Sequence, residues 1–227
     1  MFTNCKIIDL THPLNSKIPT WDGQKGFELK KGEQISMATS SGTHVDAPSY
    51  FAKNGASIDA LSLKQLLIPA CVLNLTLKAS PTYQISPDDI IEHESAHGPI
   101  PKNSLIIAYT GWSHRWSDPK TYRNVGPKGT PRFPTFGLDT IKLLLKRKIA
   151  GVAIDTLALE PLDSTFPSHK LLFSKNKYII ENIANAHKLP SNGAFVVVLP
   201  LKIEGAAEAP ARVIGLILHQ TRGAHAV

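Results

Sequence analysis

The most informative stretch of this chain is Ser40-Ser41-Gly42-Thr43-His44-Val45-Asp46-Ala47-Pro48-Ser49-Tyr50-Phe51. His44 and Asp46 are two residues apart, so their side chains point to the same side of an extended segment. Gly42 and Pro48 favour tight bends of the backbone on either side of that pair. Imidazole and carboxylate groups are both ligands of zinc and manganese, so the stretch predicts a metal-binding segment. The alternative is a surface turn in which Asp46 hydrogen-bonds its own backbone.

The same stretch resembles the signature of a known family. The metal-dependent cyclase superfamily, which contains bacterial kynurenine formamidases and isatin hydrolases, carries the motif H-x-G-T-H-x-D-x-P-x-H. Five of its seven fixed positions match this chain: Gly42, Thr43, His44, Asp46 and Pro48. The first and last histidines of the motif fall on Ser40 and Tyr50.

The resemblance extends over most of the chain. Segments similar to family landmarks occur at residues 9–14, 18–23, 109–112, 151–156 and 210–214. The family takes its remaining metal ligands from a histidine and a glutamate at the spacing of His169 and Glu181. The resemblance thus implies a metal set of His44, Asp46, His169 and Glu181. It also implies a swivelling β/β/α fold, that is, an α/β domain with a mixed sheet.

Composition is typical of one globular domain. The chain has 227 residues, of which 42% are hydrophobic, enough to bury a sizeable core. We therefore expect one domain over residues 1–227, with a loose tail over about 220–227. Apolar stretches are too short to span a bilayer, and the first residues lack the pattern of a secretion signal. A cytoplasmic protein without a membrane partner is expected.

The charge distribution limits the expected partners, and the cysteine content indicates the redox state of the thiols. The formal net charge is +7, but lysine and arginine are dispersed, without zinc-finger spacing or a run of basic and aromatic residues. Nucleic-acid binding is therefore not expected, whereas a small anionic substrate is compatible with the charge. The two cysteines, Cys5 and Cys71, lie in apolar runs and are expected to be reduced core thiols.

Hydrophobic periodicity predicts a mixed order of strands and helices. Strands are predicted at β-branched or alternating runs, which are residues 6–10, 27–39, 69–77, 105–110, 149–155, 194–203 and 212–219. Helical spacing of apolar residues predicts helices at 59–67, at 87–97 and around Leu138, Ile141, Leu144 and Leu145. The segment 111–135 is rich in Pro, Gly, Arg and Trp, and is predicted to be a long functional or partner-contacting loop.

A second metal motif occurs at His93-Glu94-Ser95-Ala96-His97. In H-E-x-x-H, two histidines one helical turn apart bind zinc and the glutamate acts as a base. Here Gly98-Pro99 ends the predicted helix directly after His97, and no glutamate lies between residues 98 and 159 to act as a third ligand. We therefore expect these residues to form the polar, exposed end of a helix.

Several other side chains are candidates for the site. The aromatic residues expected to contact substrate are Trp21, Phe51 and Trp112, the first because it falls in a segment similar to the family's substrate-side loop. Asp155 has two open roles, as the acceptor that orients a ligand imidazole or as the cap of a turn. His114 also has two possible roles, contact with substrate or packing against a loop. The histidines expected outside the site are His12, His187, His219 and His225.

The family resemblance and the ligand set imply hydrolysis of amide bonds in linear aryl formamides or cyclic amides. A divalent ion, Zn or Mn, polarises a carbonyl and lowers the pKa of a bound water toward about 7. Glu181 is expected to serve as both ligand and base. Tyr50, a residue with an ordinary pKa near 10, is expected to donate a hydrogen bond to the developing oxyanion rather than to shuttle a proton.

Ser40 and Tyr50 leave two functions open. A neutral hydroxyl is a poor zinc ligand, so the chain is expected to bind one metal ion rather than two. One interpretation is a one-metal hydrolase with altered chemistry. The other is a catalytically degenerate protein that binds a small ligand or acts as a scaffold. The resemblance also implies a homodimer or homotetramer with loops that cross between subunits.

Overall fold

The computed structural model describes residues 5–127, 129–161 and 164–218, so the predicted tail at 220–227, His219 and His225 lie outside the described residues. These ranges contain the strands β1 (Cys5–Asp9), β2 (Phe27–Lys30), β3 (Gln34–Met37), β4 (His44–Asp46), β5 (Leu67–Asn74), β6 (Gln84–Ile85), β7 (Leu105–Tyr109), β8 (Thr135–Phe136), β9 (Gly151–Ile154), β10 (Tyr178–Glu181), β11 (Ala194–Pro200) and β12 (Glu208–Leu218). The α-helices are α1 (Leu63–Leu66), α2 (Pro87–His97), α3 (Pro119–Arg123), α4 (Leu138–Lys146) and α5 (Pro167–Ser174).

Eight strands form the main sheet, in the order β1-β12-β11-β5-β7-β9-β10-β4. Strands β5, β7, β9 and β10 are parallel, and the other neighbours in this sheet are antiparallel. Strand β4 pairs with β10 on one side and with residues 208–210 of β12 on the other. The sheet therefore closes into a ring with an inner and an outer face. The predicted α/β class with a mixed sheet is confirmed.

Alternating side chains fill both faces of the parallel strands. Val72 and Ile107 belong to the core on the inner face, whereas their neighbours Leu73 and Ile106 belong to a second core on the outer face. Helices α2, α4 and α5 cover that outer face, to which the apolar side of α4 contributes Ile141 and Leu144. None of the helices in the described ranges has the length and apolarity needed to cross a bilayer.

The segment 111–135 is more ordered than a long loop. It contains a 3₁₀ turn at Trp112–Arg115 and helix α3, which begins after Asp118 because that side chain accepts hydrogen bonds from two backbone N–H groups of the first turn. Four aromatic residues of the segment belong to a third core cluster: Trp112, Trp116, Tyr122 and Phe133. Burial of these large side chains outweighs the loop-like composition.

Other local predictions need correction. Residues 27–39 form the hairpin β2–β3 instead of one strand, because Gly32 and Glu33 adopt positive φ values of 82° and 62° and turn the chain. Residues 59–67 form a 3₁₀ turn at Ile58–Ala60 and then the short helix α1, which Ser62 caps. Strands β4 and β10 are three and four residues long, too short to show a hydrophobic period.

Candidate metal centre

Strand register brings four polar side chains to one place. His44 and Asp46 point away from the inner core, because Val45 between them is packed into it. Across the antiparallel pairs, Glu181 of β10 lies opposite His44, and Glu208 of β12 lies opposite Asp46. Directly opposed residues have Cβ atoms about 4.5–5.5 Å apart. One imidazole and three carboxylates therefore face a common cavity.

His169 reaches the same cavity from helix α5. The buried Glu160 carboxylate accepts hydrogen bonds from the backbone N–H groups of Ser168 and His169, both at 2.9 Å. It also accepts one from His169 Nδ1 at 2.7 Å. Because Nδ1 donates to Glu160, Nε2 is the nitrogen left to bind a metal ion once it has lost its own proton. That atom lies 3.5 Å from Glu181 Oε1.

His44 is oriented by the turn that precedes it. Gly42 has a φ of 70°, in the region that favours glycine, and a Cβ there would lie 2.5 Å from the Leu14 side chain. The Gly42 carbonyl accepts a hydrogen bond from His44 Nδ1 at 2.9 Å. His44 Nε2 therefore faces the carboxylates, 3.4 Å from Asp46 Oδ1 and 3.5 Å from Glu181 Oε2.

The donor set fits a divalent ion. Two groups of three side chains have donor atoms within 4.8 Å of one another, namely His44, Asp46 and Glu208, and Asp46, His169 and Glu181. Asp46 Oδ1 is buried and lacks a hydrogen-bond partner among the described residues, which is costly unless a cation completes its surroundings. Imidazole nitrogen and carboxylate oxygen suit zinc and manganese. The structure thus brings all four predicted ligands together.

In the absence of a metal ion, the cluster retains protons on its imidazoles. Burial lowers the pKa of His44, but the carboxylates of Asp46 and Glu181 outweigh burial and raise that pKa to about 10. Burial also lowers the pKa of His169, yet hydrogen bonds to Glu160 and Glu181 bring it up to about 9. Burial and the Glu181 carboxylate also raise the pKa of Asp46 to about 8, so a metal ion must displace protons that the cluster shares at neutral pH.

The cluster lies in a cavity of about 460 Å³. Ser40, Trp21, Tyr50 and Phe51 all line this cavity, and Phe51 stacks on Phe166 with 5.8 Å between ring centroids. Burial and the neighbouring carboxylates raise the pKa of the Tyr50 hydroxyl to about 12. That hydroxyl is therefore a hydrogen-bond donor, not a base, at neutral pH.

Trp112 and Asp155 lie away from the cavity lining. Trp112 is buried in the third core cluster, where its Nε1 donates to the Tyr122 carbonyl at 2.8 Å and the Arg115 guanidinium lies 3.8 Å above its ring. Trp112 is therefore not part of the cavity lining, and its contact with substrate stays a prediction. Asp155 accepts a hydrogen bond from the backbone N–H of Thr110 at 3.0 Å. Of its two open roles, the structure shows the cap.

The H-E-x-x-H residues form other contacts. His93 is buried, with Nε2 3.1 Å from Cys71 Sγ. The half-buried Glu94 carboxylate accepts two hydrogen bonds from the Arg147 guanidinium, at 2.7 and 2.8 Å. Glu94 is thus engaged in an ion pair with Arg147, outside the cavity lining. The prediction of an exposed helix end is correct for Ser95, Ala96 and His97, but wrong for the buried His93 and the half-buried Glu94.

The other predicted histidines of the described residues also lie outside the cavity lining. His12 stacks on Trp116 with 4.1 Å between ring centroids, and burial lowers its pKa to about 4 against a smaller upward effect of Asp9. His114 and His187 are exposed, with 5.3 Å between their ring centroids. Substrate contact by His114 finds no support in this position.

Two carboxylates of the centre were missed by the sequence prediction. Glu160 orients His169 from a loop after β9, and no local pattern connects the two residues. Glu208 begins β12, four residues before the predicted start of that strand at Arg212. Side chains at every second residue of a strand share a face, so extending the predicted strand back from Arg212 to residues 210 and 208 places Glu208 on the face of Arg212. This alternation was the sequence signal that could have identified Glu208.

Comparisons of sequence identify relatives of this chain. The Cyclase family model matches residues 8–161. An isatin hydrolase from Roseibium aggregatum is 30% identical over 188 residues, which cover 78% of this chain and 71% of that protein. A kynurenine formamidase from Geobacillus thermodenitrificans is 28% identical over 218 residues, which cover 90% of this chain and 94% of that protein.

Solved structures have the same fold. The crystal structure of an isatin hydrolase bound to the product analogue thioisatinate matches with a TM-score of 0.86 and 25% identity, covering 95% of this chain and 94% of that one. A structure described as a potential metal-dependent hydrolase with cyclase activity matches with a TM-score of 0.77 and 27% identity, covering 95% and 99%. By family match, by its hydrolase relatives and by fold, this chain belongs to the Cyclase family, as the motif around His44 predicts.

Proposed function

We propose that the protein is a metal-dependent hydrolase of amide bonds, acting on an aryl formamide or a cyclic amide. The observation that carries the proposal is the convergence of two imidazole Nε2 atoms with carboxylates in one cavity. One divalent ion, Zn or Mn, held by His44, Asp46, His169 and Glu181, would polarise an amide carbonyl and lower the pKa of water there. Similarity to an isatin hydrolase and to kynurenine formamidases supports this substrate class.

The cavity favours a small aromatic substrate. Trp21, Phe51 and Phe166 supply aromatic surface, and Leu157 adds an aliphatic contact. A volume of about 460 Å³ is in the range of small-molecule sites. Lys25 lines the same cavity, which is compatible with an acidic group on the substrate. The aromatic residues would hold the ring of an aryl amide while its carbonyl faces the ligand cluster.

Tyr50 and Glu181 have different roles in this proposal. Tyr50 remains protonated at neutral pH, so its hydroxyl donates a hydrogen bond to the oxygen on which negative charge develops. The Leu159 N–H donates to Glu181 Oε1 at 2.8 Å, which fixes the carboxylate with Oε2 toward His44. Glu181 is thereby positioned to accept the proton of the attacking water and to return it to the leaving nitrogen.

A binding protein without turnover is the second candidate. The observation that favours it is the presence of Ser40 and Tyr50 in the cavity lining, at positions where the family motif has histidines. Neither hydroxyl shuttles protons near pH 7. Such a protein would bind the aromatic ligand and the metal ion but release the ligand unchanged.

We further propose a homodimer or homotetramer built on the uncovered outer face of the antiparallel strands. Ile7, Phe195 and Leu216 lie side by side on β1, β11 and β12. Ile7 is 61% exposed and Phe195 37% exposed, and Leu199 and Leu67 extend the same apolar surface. A contiguous apolar sheet face of this kind is suited to burial against a second copy.

The cysteines bear on the cellular location, and the distribution of basic residues bears on the other partners. Cys5 and Cys71 are both free thiols, which suits the reducing cytoplasm. Lysine and arginine side chains are spread over the chain rather than concentrated in one stripe, so we propose a small-molecule substrate and no nucleic-acid or membrane partner.

Metal reconstitution tests the proposed function. Chelator-treated protein is reloaded with Zn or Mn and assayed against aryl formamides and lactams of the isatin type. Activity should return with metal and be lost in His169→Ala, while His187→Ala, a change of an exposed histidine outside the cavity, should leave it intact. Metal-loaded protein that binds these amides without hydrolysing any of them would refute the hydrolase in favour of the binding protein.

A further inference from the structure

The turn before His44 is held by Asn182, which directly follows Glu181 at the end of β10. Asn182 Nδ2 donates to the Gly42 carbonyl at 3.0 Å, and the same oxygen accepts from His44 Nδ1 at 2.9 Å. The backbone carbonyl of Asn182 accepts a further hydrogen bond from Thr43 Oγ1 at 2.6 Å. Asn182 therefore fixes both residues that precede His44.

The orientation of the Asn182 amide is set by its two partners. The Gly42 carbonyl is an acceptor, so it faces Nδ2 rather than Oδ1. Oδ1 then accepts from the Tyr122 hydroxyl at 2.8 Å, a shorter contact than the 3.1 Å between that hydroxyl and the Asp155 carbonyl. Asn182 is 2% exposed and Tyr122 is fully buried, so an unmade hydrogen bond here would be costly. One orientation of the amide satisfies both partners.

The backbone of Asn182 indicates why asparagine suits this position. Its φ is 55°, in the left-handed region that glycine, asparagine and aspartate adopt more readily than other residues. Glycine and aspartate have no side-chain N–H to donate to Gly42. Asparagine combines the left-handed turn at the end of β10 with a buried donor directed at that carbonyl.

Tyr122 connects this turn to the segment 111–135. It belongs to helix α3, and its ring lies edge-on to Trp116 with 5.1 Å between ring centroids. Both aromatic residues lie outside the cavity lining, whereas Asn182 is part of it. Tyr122 therefore reaches the site through Asn182.

We propose that Asn182 is a positioning residue for the metal ligand His44, and that Tyr122 holds the Asn182 amide in the orientation that this role requires. The inference rests on the proposed function, because it assigns His44 Nε2 to a metal ion. A fixed Gly42 carbonyl fixes the direction of the hydrogen bond from His44 Nδ1. That hydrogen bond sets the orientation of the ring and hence the direction of Nε2.

Zinc titration of the full-length protein against a competing chelator tests the role of Asn182. Asn182→Gly removes the side chain and keeps a residue that adopts a positive φ. Asn185→Gly is the matched control, because Asn185 has a φ of 54° and its Nδ2 donates to the Asp9 carbonyl at 2.9 Å, outside the cavity lining. Asn182→Gly should bind Zn²⁺ about tenfold more weakly than wild type, at the lower end of the cost of losing a group that orients a ligand. Asn185→Gly should bind as tightly as wild type.

Nitrogen NMR of the zinc-loaded protein separates positioning of one ligand from a general loss of stability. In Asn182→Gly the Nδ1 resonance of His44 should shift or broaden, whereas that of His169 should be unchanged because Glu160 holds that ring. Unchanged zinc affinity with an unchanged His44 resonance in folded Asn182→Gly would overturn the proposal. Equal changes at both histidines would overturn it as well, because they would indicate a general structural effect.

Tyr122→Phe tests the second part of the proposal, because it keeps the buried ring and removes the hydroxyl. Zinc binding should weaken, and adding Tyr122→Phe to Asn182→Gly should cause no further loss, since Tyr122 acts through Asn182. Additive losses would refute this dependence. If circular dichroism shows that Asn182→Gly is unfolded, Tyr122→Phe decides the test, because an unchanged zinc affinity and His44 resonance in that variant overturn the proposal.

The proposed function can fail separately from this inference. Wild-type protein that binds zinc but hydrolyses no aryl formamide or lactam would refute the hydrolase, while the zinc affinities and NMR resonances would still decide the role of Asn182. Wild-type protein that binds no zinc would overturn both.

Discussion

Replacement of Glu160 by glutamine should weaken metal binding although Glu160 lies outside both groups of donor atoms. The carboxylate accepts hydrogen bonds from the backbone N–H groups of Ser168 and His169 and from His169 Nδ1 at 2.7–2.9 Å. In Glu160→Gln the shape is preserved, but the amide has one acceptor oxygen in place of two and carries no charge. His169 then loses its fixed tautomer and ring orientation. Loss of such a partner typically costs 10–100-fold in metal affinity, or about 1.4–2.7 kcal/mol.

The assay is calorimetric titration of Zn²⁺ into metal-free protein in the presence of a competing chelator. Glu94→Gln is the matched control, because it removes a carboxylate that accepts hydrogen bonds of 2.7 and 2.8 Å from Arg147 outside the cavity. That control should destabilise folding without changing metal affinity. If Glu160→Gln binds Zn²⁺ as tightly as wild type, then His169 is either held by other contacts or is not a ligand, and the reasoning fails.

Three further predictions concern activity, pH and assembly. Ser40→His with Tyr50→His should raise amide hydrolysis by about 10²-fold or more, since it adds a ligand and a proton shuttle, and steady-state kinetics on aryl formamides measures the gain. Metal affinity should rise from pH 6 to pH 8, by up to about tenfold per pH unit for each displaced proton. The reason is that the pKa of His44, about 10, lies above this pH range, so the metal ion competes with a proton throughout it. A pH-independent affinity measured by calorimetry would contradict this prediction. Phe195→Glu should convert the oligomer to monomers in light scattering, whereas wild-type protein that is already monomeric at micromolar concentration would remove the assembly proposal.

The fold class was predictable because its signals are local. Strands β5, β7 and β9 read as continuous apolar runs, since parallel strands buried on both faces have no polar side. Helix α4 was predicted from apolar residues at helical spacing, and one side of it packs on that sheet. The extent of one domain over residues 1–227 stays a prediction.

The ligand set was predicted from a resemblance, not from local chemistry. His44 and Asp46 share a short strand and could be paired by their spacing alone. His169 lies on a helix and Glu181 on a strand, and only the resemblance to the family connected them to that pair. Their convergence depends on the closure of the sheet between β10, β4 and β12, a long-range arrangement that no sequence period encodes.

The sequence prediction missed Glu160 and Glu208 for different physical reasons. Glu160 acts through His169, so its role depends on a loop conformation that composition does not specify. Glu208 depends on register, because a shift of one residue would turn it into the inner core and place Ala209 at the cavity. A carboxylate at this position of β12 is therefore meaningful only together with the pairing to β4. In a relative, the residue opposite the motif aspartate would therefore have to be identified from the strand pairing rather than from the sequence alone.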